Sequence, residues 1–281
     1  MDWERVKYLW DHYQLLDCVV ALVLLITTTI ISVMVSPYCR PFSWRDPTID
    51  YPYITDVTFP LWTLFVFLVT VSVFYGVVVT ALGGPLWTWL RAQLLAAAFQ
   101  QVVVNVLKVY AGRIRPDYLN RLRSLGYNED SYAKSGVKDM TSTEYYCRLG
   151  NHHRELREGR LSFPSGHSST SFVVFVFMSL FLCAYVRPSS HGGSFMRLIL
   201  SLCPLLIAFM CAVSRTRDYW HHFDDIVAGS IIGTVCALLC FYNAFRITEG
   251  GLCVARRSEL AREEGNPVSE QNTSPVTVQV I

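Results

Sequence analysis

Long stretches without a single charged side chain recur along this sequence, and that recurrence limits its fold more than any other feature. A helix that crosses a bilayer needs about 20 mostly apolar residues. The first such run is Cys18 to Cys39. A second extends from Val57 to Leu90, too long for one crossing, and Gly83-Gly84-Pro85 interrupts it where a helix would have to stop. It reads as two helices, the later one running from Pro85 to about Tyr110, with Arg91 near one membrane boundary and Lys108 near the other. Further runs are Ser168 to Val186, Leu198 to Ser214 and Ile226 to Phe245. Composition agrees: 52% of the residues are hydrophobic and 16% charged, against about 25% charged in a soluble domain. The expected fold is therefore all-α, a polytopic membrane protein of six transmembrane helices. The first run is longer than a signal-peptide core and lacks a small-residue cleavage site, so it reads as a retained helix.

Six crossings place both termini on one side and the loops after spans one, three and five on the other. The expected organisation is an N-terminal segment 1–14, a six-helix membrane domain 15–246 in which 113–163 is an extramembrane loop over the site, and a flexible, polar tail 247–281. Orientation stays open. Lys and Arg are more numerous on the loop side, which taken alone would put the loops in the cytoplasm, but they concentrate between Arg113 and Arg160, where phosphate binding can account for them. A net charge of +2 without a long basic block argues against nucleic-acid binding. Most of the nine cysteines fall within spans as apolar packing residues. Cys39 and Cys147 lie in loops on the same side, so a disulfide between them is an open question.

Three polar clusters break the apolar pattern, and by the parity of the spans all three belong to one membrane face. Lys108 to Pro116 ends span three, Phe163-Pro164-Ser165-Gly166-His167-Ser168 begins span four, and Ser214 to Asp225 joins spans five and six. Phosphoryl transfer from a monoester needs an in-line nucleophile, an acid for the leaving oxygen and positive charge around three equatorial oxygens. His221 precedes Asp225 by four residues, so at a helix start the carboxylate can hold one ring nitrogen protonated and leave the other free to attack. His167 would come from the opposite side as acid and base. Lys108, Arg115 and Arg215 are cations that a membrane boundary tolerates when they face an anion, and Ser165 with the backbone N–H of Gly166 adds donors at a helix N-terminus. No carboxylate cluster suited to magnesium lies beside them, so neither metal nor cofactor is expected.

These clusters resemble the three-part signature of the type 2 phosphatidic acid phosphatase superfamily, in its lipid phosphate phosphatase branch. Lys108 is followed after six residues by Arg115-Pro116; Pro164-Ser165-Gly166-His167 follows; then come Ser214-Arg215, His221 after five and Asp225 after three more. Eleven fixed positions are satisfied without a departure, and the expected number of accidental matches is on the order of 10⁻⁸ at about one in twenty per position. Tyr51-Pro52-Tyr53 after Asp46-Pro47, with Trp62 opening the next span, is similar to the first outer loop of that branch. The resemblance covers roughly residues 15–246. It implies His221 as nucleophile, Asp225 as its partner, His167 as acid and base, and Lys108, Arg115, Ser165, Gly166 and Arg215 around the phosphoryl group. The activity it implies is metal-independent removal of phosphate from lipids such as phosphatidic acid, lysophosphatidic acid, sphingosine 1-phosphate or diacylglycerol pyrophosphate, through a phosphohistidine. The implied setting is a plasma membrane or endomembrane, with cytoplasmic termini and a lumenal or extracellular site. Alternatives within the fold are a polyprenyl diphosphate or sugar-phosphate phosphatase, or a lipid phosphotransferase. Outside enzymes they are a non-catalytic lipid-binding relative or a transporter. The bilayer and a lipid phosphate are the expected partners, with homo-oligomerisation left open.

Blander readings apply elsewhere. His12, His152, His153 and His191 read as satisfied interfacial residues, and His222 as a neighbour that points away from the nucleophile. Asp218 and Asp224 read as capping or solvated charges; Arg113, Arg160 and Arg217 as interface markers. Trp62, Trp87, Trp89 and Trp220 read as an aromatic belt, and Gly229 with Gly233 as a close-packing pair. An Asn272-Thr273-Ser274 sequon in the tail would report topology if glycosylated.

Overall fold

The computed structural model describes residues 14–189, 192–247 and 253–255. His12, His191, Asn272 and nearly all of the segments 1–14 and 247–281 lie outside the described residues. Among the described residues there are six membrane-length apolar helical segments, as the charge-free runs required. A lone helix satisfies its own backbone in hydrocarbon, which a loop or open strand cannot.

The first, α1 (Leu15–Met34), starts and stops earlier than its apolar run; Pro37 cannot continue a helix, and the chain proceeds extended from Val35. Next come α2 (Leu61–Leu82) and α3 (Leu86–Ala111), separated where Gly83 takes φ 82°. Four short helices follow: α4 (Tyr118–Ser124), α5 (Ser131–Lys134), α6 (Ser142–His152) and α7 (Arg154–Glu158). The fourth span is α8 (Gly166–Val186). The fifth is broken into α9 (Phe195–Leu202) and α10 (Pro204–Arg217), because Pro204 supplies no N–H to the preceding turn. The last span is α11 (Phe223–Ala244). Its chain runs into a short antiparallel pair, Phe245–Ile247 with Cys253–Ala255, in which Cys253 and Ala255 are buried.

The centre of the bundle is aromatic. Tyr75, Trp89, Phe177, Phe181, Phe241 and Phe245 are each at most 1% exposed, and Trp89 stacks on Phe245 at 4.0 Å between centroids. Trp89 is thus a core residue and not part of an interfacial belt, because the face of α3 that carries it turns inward; Trp62 and Trp87 remain exposed. At the end opposite the three clusters, Arg91 is buried and paired with Asp17 of α1. Helices α8 and α11 approach closely through Gly229 and Gly233, as the small-residue pattern implied: a Cβ on Gly229 would lie 2.5 Å from the Ser165 carbonyl oxygen, and one on Gly233 2.3 Å from that of Ser169.

A second, smaller core forms where residues 113–163 meet the loop after α1. Tyr118, Leu119, Leu122, Tyr146 and Leu156 pack with Ile49, and Phe42 and Trp44 pack on them. Cys39 and Cys147 are joined in a disulfide across a separation of 108 residues. These short helices rest over one end of the bundle and hold Arg113 to Arg115 and Ser162 in place: Arg115 N–H donates to the Gly159 carbonyl and Ser162 N–H to the Arg113 carbonyl.

Candidate active site

All three polar clusters reach the same end of the bundle, each delivered by a local device. Gly112 caps α3 at φ 53°, and a Cβ there would sit 2.0 Å from the Tyr38 carbonyl oxygen, so only glycine lets the chain turn beside the first loop. Lys108 lies in the last turn of α3, its Nζ close beside Gly166, where an added Cβ would be 3.7 Å away. Ser165 is the N-cap of α8. Its Oγ accepts from the Ser168 N–H and from the Ser168 hydroxyl, so capping occupies its oxygen and leaves its own proton to give. Gly166 and His167 open the helix behind it, where orphan N–H groups and the helix dipole favour an anion.

The third cluster turns sharply between α10 and α11. Tyr219 adopts φ 57° and stacks on Tyr51 at 4.8 Å. The turn lets the N–H groups of both Trp220 and His221 reach the Arg215 carbonyl. His221 therefore stands just ahead of the helix instead of on its first turn, and His222 is the N-cap. The pairing expected from the four-residue spacing still forms in outline: His221 Nδ1 lies 3.7 Å from Asp225 Oδ2. Asp225 is fully buried, and the same oxygen accepts from the Ser162 hydroxyl at 2.6 Å and the His222 N–H at 3.0 Å; its other oxygen accepts from Arg113 at 2.8 Å. Ser162 Oγ is 3.5 Å from His221 Nδ1. Both neighbours of Nδ1 can accept, so the ring carries its proton there and presents Nε2 as a lone pair. Burial pushes the imidazole down to about 3, against the pull of Asp225 and with help from Arg115 and Lys108. His221 is neutral at physiological pH.

The cations are held by groups that leave part of each unspent. Arg215 is fully buried and gives one terminal nitrogen to Asp218 at 2.8 Å, while its other terminal nitrogen is buried without a partner. Arg115 is 3% exposed and packs over the Trp220 ring at 4.5 Å; its Glu158 neighbour is 4.0 Å away, and two of its nitrogens are buried without partners. Burial lowers it to about 10. His167 Nε2 is likewise buried and unpartnered, with Arg215, His221, Lys108 and Arg115 within electrostatic reach. A buried polar group left unsatisfied costs about 1–3 kcal/mol. Four such atoms on three residues would be relieved together by one multiply charged oxyanion.

Several residues read as bystanders are part of this frame. Asp218 is 4% exposed and accepts from the Thr58 N–H, the Thr58 hydroxyl and Arg215; its i,i+3 spacing from Arg215 at a helix end was the available signal. Trp220 is no belt residue: its Nε1 donates to the Ile54 carbonyl and its ring lies against both Arg115 and Arg121. Arg113 pairs with Asp224 and Asp225, and Arg160 is buried and donates to the Tyr38 carbonyl, so neither merely marks an interface. His222 Nε2 sits 3.2 Å from the Ile114 carbonyl oxygen. Ser162, Asp117 and Arg121 were not singled out from the sequence; the last two form a fully buried bidentate pair beneath Trp220.

Comparison with known proteins agrees with this architecture. The profile of the PAP2 superfamily matches residues 89–249, more than half of the chain. The chain is 31% identical over 265 residues to "Lipid phosphate phosphatase 1" of Arabidopsis thaliana, covering 90% of this chain and 76% of that protein. It is 29% identical over 249 residues to "Probable diacylglycerol pyrophosphate phosphatase 1" of Schizosaccharomyces pombe, covering 86% and 84%. With "Phospholipid phosphatase 1" of Rattus norvegicus it shares 29% over 244 residues, covering 81% and 83%. No solved structure matches it. A six-span helical bundle whose three polar clusters meet at one end, matched by that profile through all three, belongs to the PAP2 superfamily.

Proposed function

We propose that this phosphatase hydrolyses lipid phosphates at the membrane surface through a phosphohistidine intermediate. The observation that carries the reading is the meeting of a neutral, oriented imidazole with three buried cationic or protonatable groups that have nitrogens without partners. His221 Nε2 attacks phosphorus as the P–O bond to the lipid breaks, and His167 gives its proton to the departing lipid oxygen. The lipid alcohol leaves, and His221 holds the phosphoryl group. Water then attacks phosphorus, passes a proton to His167, and the N–P bond breaks to release phosphate and restore both histidines. Lys108, Arg115 and Arg215 hold the equatorial oxygens, with Ser165 and the Gly166 N–H as neutral donors. Asp225 keeps the His221 proton on Nδ1, the orienting role of the aspartate in a hydrolase triad.

The Cys39–Cys147 disulfide supports a site on the lumenal or extracellular face, since such bonds persist in oxidising compartments, and hence cytoplasmic termini. The cation count pointed the other way because cations of this face have local work: Arg113, Arg121 and Arg123 pair with carboxylates, and Arg157 and Arg160 with backbone carbonyls. Lipid substrates such as phosphatidic acid or diacylglycerol pyrophosphate fit a site at the membrane boundary.

The test is phosphate release from labelled phosphatidic acid in mixed micelles containing EDTA, with wild type, His221→Ala and His167→Ala, and quenching in alkaline detergent to trap labelled enzyme. Wild type should turn over and carry an acid-labile, base-stable phosphoryl label that His221→Ala lacks. Retained activity in His221→Ala, or loss of wild-type activity to EDTA, would remove the mechanism.

A further inference from the structure

A second concave, positively charged site lies apart from the reacting groups. A cavity of about 170 Å³ is walled by the Cys39–Cys147 disulfide with Ser36, Glu144, Arg148, Arg157 and Arg160, and neither histidine of the active site lines it. Its one carboxylate is already engaged, because Glu144 accepts from the Thr141 N–H and hydroxyl in closing the capping box of α6. Three guanidinium groups face that single local charge.

Arg160 is 3% exposed; one terminal nitrogen donates to the Tyr38 carbonyl at 2.9 Å, while its Nε is buried without a partner. Arg157 donates to the carbonyls of Ser32 and Val35. Burial holds both guanidinium groups below their usual value. Arg148 stands exposed among the lining residues. Guanidinium groups in this setting are the side chains that take up phosphate oxygens in pairs.

The cavity is well below the roughly 300 Å³ at which drug-sized ligands begin to fit. Its size suits a small head group and not an acyl chain. The contacts of Arg157 with Ser32 and Val35 set it at the level where α1 leaves the bilayer, and directly along α1 run Ile30, Val33 and Met34, which are 55%, 64% and 76% exposed. A phosphate in the cavity can thus have its acyl chains in the membrane along that helix. We propose that this arginine-lined cavity holds the phosphodiester of an anionic phospholipid head group, at a binding site separate from the reacting one.

Native mass spectrometry of the full-length protein in mild detergent tests this, with phosphatidylglycerol as probe, phosphatidylcholine as control and inorganic phosphate as competitor. Wild type should retain phosphatidylglycerol over phosphatidylcholine. Arg148→Gln should weaken that retention about tenfold, the loss of one charge-assisted hydrogen bond, and Arg148→Lys should restore part of it. Arg148 is exposed and outside the reacting site, so both variants should hydrolyse a water-soluble monoester at the wild-type rate, a control for folding. His221→Ala should retain the lipid unchanged. Equal retention by wild type and Arg148→Gln, or of the two lipids by wild type, overturns the proposal. Loss of retention in His221→Ala would place the lipid in the reacting site and overturn it as well. Retention of inorganic phosphate without phosphatidylglycerol would identify a free-anion site and reject the lipid as its source.

Discussion

Ser162 offers the sharpest test of how the proposed nucleophile, His221, is held. Its hydroxyl donates to Asp225 Oδ2 at 2.6 Å and lies 3.5 Å from His221 Nδ1, and the side chain is fully buried. It faces the carboxylate side of the imidazole, so in the proposed mechanism it is a positioning residue that does not touch phosphate. Ser162→Ala removes one atom and leaves the Asp225 oxygen with its His222 N–H and a distant Nδ1. A hydrogen bond to a buried charged group contributes about 1.5–3 kcal/mol, so kcat should fall between roughly tenfold and one-hundredfold at about 1.4 kcal/mol per decade. KM should stay within about twofold, because the cations proposed to hold phosphate keep their own partners. The assay is steady-state hydrolysis in mixed micelles, repeated in an Asp225→Ala background. There Ser162→Ala should cost little more, since its acceptor is gone and the two effects belong to one unit. An additive double variant, or a loss confined to KM, would refute the view that Ser162 works through Asp225.

Three further outcomes follow from the geometry. For His221, whose folded pKa of about 3 lies below the ordinary value of about 6.5, the unfolded chain takes up the proton first. Stability should therefore be complete above about pH 6.5 and fall as pH drops toward 3; a ¹³C-histidine NMR titration showing His221 protonating near 6.5 would contradict this. Cys39→Ser or Cys147→Ser, which opens a link across 108 residues, should lower stability by about 2–4 kcal/mol. Thermal unfolding of the variants, and of wild type under reductant, should then coincide, and an unchanged transition would count against the bond. Gly229→Ala would drive a methyl to 2.5 Å from the Ser165 carbonyl and displace the start of α8, so activity should fall more than in Gly76→Ala, where nothing lies within 4 Å; equal activities would show that α8 need not sit where it does.

The sequence by itself determined the six spans, their parity and the three clusters that had to share a face. A charge-free run of 20 residues has one stable use, and spacing such as Lys108 to Arg115 or His221 to Asp225 survives as local geometry. It did not show which way Trp89 and Trp220 face, since an indole suits a membrane belt and a packed core equally well and only the neighbours decide. Nor did it show that Asp218 is buried against Arg215 and Thr58, that Ser162 joins Asp225, or that Arg113, Arg121, Arg123, Arg157 and Arg160 have partners. Apart from the Asp218–Arg215 and Arg121–Asp117 pairs, each of those contacts closes a separation of tens of residues or more. The partners of a buried polar group are set by which distant segments pack around it, and that choice belongs to the tertiary structure alone.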